Sequence, residues 1–147
     1  MCKLAIYRFG KPGKLMENKI KPGLTGEVRM TVSEKETAVV YESGSVPVFA
    51  TPALIRFIEK AALLSVASYL EEGSTTVGTR VDVKHLAATP VGMEVVVTTR
   101  LAEVTGKKLL FTVEARDRID LICSGIHERF IVNTDRFVSK ATGKLTK

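Results

Sequence analysis

The segment TPALIRFIEKAALLSVASYLEEG, residues 51–73, constrains the fold more than any other. Thr51 suits the N-cap and Pro52 the first helical position, where its missing N–H costs nothing. Glu71-Glu72-Gly73 supplies a stop at the glycine. Between these ends Ala53, Leu54, Ile55, Phe57, Ile58, Ala61, Ala62, Leu63, Leu64, Val66 and Ala67 cover nearly the whole circumference. A helix apolar all round is surrounded by protein. The rest of the chain must therefore enclose it.

Strand patterns supply the enclosure. Residues 76–88 alternate through Val81, Val83 and His85; residues 93–104 place Met93, Val95, Val97, Thr99 and Leu101 on one side. A tight turn at Gly106 leads into 109–117, with Leu109, Phe111, Val113 and Ala115 inward. The last run, 119–133, is interrupted by Gly125, which marks a bulge or a close backbone approach. Upstream, 25–32 and 37–41 read as two short β segments around the turn-like Ser33–Glu36, followed by the loop YESGSVPVFA. The pattern predicts an α+β fold: a curved antiparallel sheet wrapped around one long central helix. One sheet around one helix leaves an edge exposed, so a homodimer or larger even assembly is expected.

At 147 residues one domain suffices. Residues 1–22, punctuated by Gly10, Pro12, Gly13 and Pro22, read as an irregular lead-in; 23–135 form the domain, and 136–147 a basic tail. The net charge of +6 favours anionic partners. A phosphorylated small molecule, nucleic acid and a plain solvated lysine surface all suit it. Nucleic acid ranks last, because no helix-turn-helix, aromatic RNA-binding strand or arginine-rich helix is present. No apolar run approaches the ~20 residues of a membrane span, and the N-terminus lacks a signal-peptide core. A cytoplasmic location is expected. Cys2 and Cys123 are too few and too far apart for a zinc site or disulfide framework. Cys123, in alternation with Ile119 and Leu121, reads as a small buried hydrophobe. Neither metal nor cofactor is expected.

Two side chains break the apolar pattern. Glu59 emerges among Ile55, Ala62, Leu63 and Val66. It is either an ion pair with Arg56 or Lys60 at the rim, or a nucleophile or general base in a dry pocket. His85 lies on the strand side that faces the core, either as a satisfied core histidine or opposite a reactive group on the helix. Thr51 reads as a plain N-cap on periodicity alone, yet the three polar groups are expected to converge where the helix meets the strand. In GIHERF, alternation puts His127 and Arg129 on one face and Glu128 on the other; an inward arginine is either paired or awaits an anion.

Three stretches carry a family resemblance: VFATPALIRFIEKAA, TTVGTRVDVKHLAATPVGMEV and SGIHERFIV. Together they resemble the fluoroacetyl-CoA thioesterase branch of the hotdog-fold superfamily, over about residues 25–133. The resemblance implies that Thr51, Glu59 and His85 form the catalytic group, and that Gly78 and Arg129 shape the thioester-carbonyl and acyl site. It also implies a homodimer with active sites at the subunit interface and coenzyme A phosphates on basic surface residues.

The expected function is hydrolysis of a short acyl-CoA. Glu59 attacks the carbonyl or activates water with Thr51 hydrogen-bonded to it, His85 assists proton transfer, and a backbone N–H near Gly78 holds the oxyanion. A non-catalytic acyl-CoA-binding module of the same fold is the alternative. A hotdog hydratase would want an Asp/His dyad, which this helix lacks. The loop Tyr41–Ala50 is short and carries only Phe49 after Tyr41. It predicts little lid over the acyl pocket, and poor discrimination between fluoroacetyl-CoA and other small acyl-CoAs.

Overall fold

The computed structural model describes residues 19–147. Most of the expected irregular lead-in, together with Cys2, lies outside the described residues. Five strands and two helices follow in the order β1 (Thr25–Thr31), α1 (Thr51–Ala67), β2 (Ser74–His85), β3 (Glu94–Thr105), β4 (Lys108–Asp117), β5 (Leu121–Asn133) and α2 (Thr134–Thr142). All strand pairs are antiparallel and the sheet order is β1-β3-β4-β5-β2, so β1 and β2 are its edges.

Period-two alternation builds the wall against which α1 lies. Val95, Val97, Thr99 and Leu101 of β3 are buried, as are Leu109, Phe111, Val113 and Ala115 of β4. They meet Ala53, Leu54, Phe57, Ile58, Ala61 and Ala62 of α1, all buried. Gly125 marks a close approach: a Cβ there would run into the Asp82 carbonyl and Val83 of β2. Pairing through Gly125 is in register, so it is not a bulge. Cys123 is fully buried, and burial pushes its thiol up to about 11, leaving it unreactive.

Several expected boundaries move. Ala50, not Thr51, is the N-cap of α1, and Thr51 is its first helical residue. The helix ends at Ala67 rather than at Gly73, because the chain must turn back into β2. That turn is closed by Ser74 N–H donating to the Glu71 carbonyl and by Gly73 at φ +77°. Nor is α1 enclosed all round: Pro52, Arg56, Lys60 and Leu64 form an open stripe in the single chain. The segment 37–41 is a turn rather than a strand, touching Phe49 through one bridge at Thr37. Its backbone is drawn into i→i+4 and i→i+5 bonds, Tyr41 to Thr37 and Ser43 to Ala38, after a short 3-10 turn closed by the Ser33/Glu36 capping box. The last strand starts at Leu121, because Asp117 Oδ1 accepts from Ile119 N and Asp120 N and leaves Ile119 exposed in a tight turn. The basic segment after 133 is helical, capped by Asn133 accepting from Arg136 N.

Candidate functional site

β2 carries two of the candidate residues on its inner face, Gly78 near its start and His85 at its end. His85 keeps the side shared with Val81 and Val83, which directs its ring at the first turn of α1. There Thr51 Oγ1 and His85 Nδ1 lie 2.8 Å apart. Because Ala50 takes the cap position, the Thr51 hydroxyl is free of capping and is available to the imidazole. The edge of the His85 ring meets Phe49, with centroids 6.4 Å apart and planes at 79°. Burial pushes His85 below the ordinary imidazole value of 6.5, opposed by the Ala87 backbone, so the ring is neutral at pH 7. Its Nε2 is buried without a partner among the described residues. Thr51 and His85 share an open cleft of about 400 Å³, walled also by Val46, Phe49, Leu86 and Ala87.

Glu59 lies elsewhere. It is eight residues beyond Thr51, about 12 Å along the helix axis. Thr51 therefore bonds His85 and not Glu59, and the expected convergence of three groups does not occur within one chain. Nor is the Glu59 pocket dry here, since its side chain is 44% exposed. Its ion partner is neither Arg56, which lies over the Phe57 ring, nor Lys60; it is Arg129 of β5, with Nη1 3.5 Å from Oε2.

Arg129 is 5% exposed and held on several sides. Its Nε donates to Thr76 Oγ1 at 2.8 Å and its Nη2 to the Thr76 carbonyl at 2.7 Å. Its Nη1 also lies 3.3 Å from His127 Nε2. Gly78, paired in register with Arg129, makes room for this cluster. A Cβ on Gly78 would sit 2.7 Å from Glu59 Oε2 and 3.3 Å from His127 Cε1. The ladder slips by one residue directly after Gly78, and the bulge turns the Arg80 carbonyl toward His127 Nδ1, 2.8 Å away. Glu128 faces the other way and pairs with Lys108 at 2.8 Å.

The chain thus presents two separate polar clusters: a neutral imidazole with a hydroxyl, and a partly open carboxylate over a buried arginine. Thr76 escaped the sequence reading, although its place two residues before Gly78 on the same strand face was a usable signal. Larger grooves of about 730 and 490 Å³ run past Val96 and Arg116 on the outer side of the sheet and hold none of these groups. Among the described residues no cluster of three metal-ligating side chains occurs, and no helix is long and apolar enough to cross a membrane.

Comparison with known proteins bears on the family and the fold. Residues 32–135 match the family model described as fluoroacetyl-CoA-specific thioesterase. The fluoroacetyl-CoA thioesterase of Streptantibioticus cattleyicolor is 41% identical over 97 residues, 66% of this chain and 70% of that protein. A solved structure of a fluoroacetyl-CoA thioesterase superposes with a TM-score of 0.80 at 34% identity, covering 85% of this chain and 97% of the other. A thioesterase superfamily member from Thermus thermophilus gives 0.80 at 30% identity, over 88% and 96%. The curled five-stranded sheet with its one wrapped helix is the hotdog fold.

Proposed function

The chain belongs to the family of fluoroacetyl-CoA-specific thioesterases, and from that membership we propose that Thr51, Glu59 and His85 hydrolyse a short-chain acyl-CoA to the free acid and CoA. Thioester hydrolysis is the chemistry of the family; the assignment of residues follows the family resemblance, and the contact between Thr51 and His85 supports it. The observation that carries it is the 2.8 Å contact between Thr51 Oγ1 and Nδ1 of the neutral His85, whose Nε2 has no partner among the described residues. An imidazole fixed by a hydroxyl at Nδ1 presents Nε2 to a reacting group, as a general acid–base requires. Glu59 supplies the carboxylate that attacks the thioester carbonyl or activates a water. Gly78 and Arg129 frame the acyl end, with a backbone N–H near Gly78 toward the developing oxyanion.

The two clusters are completed by a second copy of the chain. β2 is an edge strand carrying both Gly78 and His85, and an unpaired edge is a template for a symmetric partner. In the homodimer, Thr51 and His85 of one chain face Glu59 of the partner subunit, whose half-exposed carboxylate is thereby enclosed. Basic surface residues take the phosphates of coenzyme A. A cytoplasmic location is in keeping with Cys123 as a free, buried thiol.

The test is thiol release from a panel of short acyl-CoAs by the wild type and by Glu59→Gln, which keeps the side-chain shape but removes both nucleophile and base. Turnover by the wild type and none by a folded Gln variant supports the assignment. Wild-type turnover by Glu59→Gln removes Glu59 from the chemistry, and binding without hydrolysis across the panel favours an acyl-CoA-binding module.

A further inference from the structure

His127 is the one fully buried histidine, and the steps assigned above make no use of it. Its surroundings fix its protonation. The Arg80 carbonyl at 2.8 Å from Nδ1 can only accept, so Nδ1 carries the proton. Burial, with Arg129 adding to it and the Arg80 carbonyl opposing, lowers its pKa, so the ring is neutral and Nε2 holds a lone pair. Among the described residues the donor to that lone pair is Arg129 Nη1, at 3.3 Å. A charged ring would turn a second N–H on the guanidinium and lose the bond.

The ring also packs against Phe111, with centroids 6.3 Å apart at 28°, and a Cβ on Gly78 would lie 3.3 Å from its Cε1. Arg129 is thus gripped from opposite sides, by Thr76 through Nε and Nη2 and by His127 through Nη1. What remains on Nη1 is the proton aimed at Glu59 Oε2. A guanidinium is planar, so two fixed edges fix the direction of the third.

We propose that His127 is a positioning residue for the Glu59 carboxylate, acting through Arg129 as a neutral hydrogen-bond acceptor. This rests on the assignment of Glu59 as a reacting group. His127 touches no substrate; it holds the donor that sets where the carboxylate points, and a misplacement near 1 Å costs about 10²-fold in rate. The bulge after Gly78 then has a purpose, since it brings the Arg80 carbonyl to the ring and sets the tautomer.

The experiment compares His127→Asn and His127→Gln. The Asn amide reaches the Arg80 carbonyl but falls short of Arg129, whereas the Gln side chain offers an acceptor oxygen where Nε2 stood. His127→Asn should lower kcat by about 10- to 100-fold with KM unchanged, and His127→Gln should recover most of the loss. Wild-type kcat in the Asn variant, or equal losses in both, overturns the proposal. If His127→Asn does not fold, Thr76→Val loosens the opposite grip, removing the Oγ1 acceptor of Nε while the main-chain carbonyl still holds Nη2: a kcat loss at constant KM supports positioning through Arg129, and wild-type kcat refutes it. Glu59→Gln is assayed alongside. An inactive Glu59→Gln with a fully active His127→Asn sinks the positioning role alone, while an active Glu59→Gln sinks the assignment of Glu59 and the positioning role with it.

Discussion

Subunit complementation tests the proposed two-chain site directly. Thr51 and Glu59 stand about 12 Å apart along one rigid helix, while a hydrogen bond spans about 3 Å. If the reacting groups meet, they come from different chains. Thr51→Ala and Glu59→Gln should each be inactive as homodimers. When the two variants are mixed and allowed to exchange subunits at random, about half the dimers are mixed, and each has one intact and one doubly damaged site. The pool should regain about a quarter of wild-type activity per mole of chain. A second mixture sharpens the result: equal amounts of wild type and the Thr51→Ala/Glu59→Gln double variant. Shared sites leave about a quarter of the activity, because only wild-type homodimers work, whereas self-contained sites leave about half. The assay is thiol release after exchange, with mixed dimers verified by mass spectrometry of differently tagged chains. No recovery in the first mixture and half activity in the second would refute the two-chain site.

Gly78→Ala should leave the fold intact, since the added methyl meets the movable end of Glu59, but kcat should fall by about 10²-fold as the carboxylate and His127 are pushed aside; unchanged kcat sinks the close-packing argument. His85 and His127 both have pKa values lowered by burial, so the unfolded chain takes up protons first as pH falls. Their contribution to stability is complete above the ordinary value of 6.5 and is lost as pH falls through the depressed folded values, so Tm should decline with acidification below that point. A Tm flat between pH 7 and 5, read by calorimetry, contradicts this. In the loop Tyr41–Ala50 the one phenylalanine, Phe49, is buried against Phe57 and His85 and cannot serve as a lid, while Val46 is exposed. Pocket fit alone is worth ~1–3 kcal/mol per small group, so kcat/KM for fluoroacetyl-CoA over acetyl-CoA should stay below about a thousandfold; a larger ratio means another residue senses the fluorine.

Periodicity along the chain was enough for the core. Val95 to Leu101 and Leu109 to Ala115 turn inward as their alternation requires, because side-chain direction in a strand is set within two residues. The same rule set His127 and Arg129 against Glu128 on opposite faces. Element ends did not follow from local pattern: α1 stops at Ala67 despite helix-compatible residues beyond it, and TAVVY turns instead of pairing. At TAVVY the turn bonds Tyr41 to Thr37 and Ser43 to Ala38, and after α1 the turn into β2, outweigh propensities worth tenths of a kcal/mol per residue. The residue types of the candidate site were legible for a related reason, since a carboxylate or imidazole among apolar neighbours stands out wherever it occurs. Their partners were not. That Glu59 meets Arg129 across 70 residues, and that Thr51 meets His85 instead of Glu59, depends on helix rise, strand register and a bulge at Gly78 acting together. Only the packed sheet and helix bring those into one geometry, and so only the tertiary structure sets Thr51 against His85 and Glu59 against Arg129.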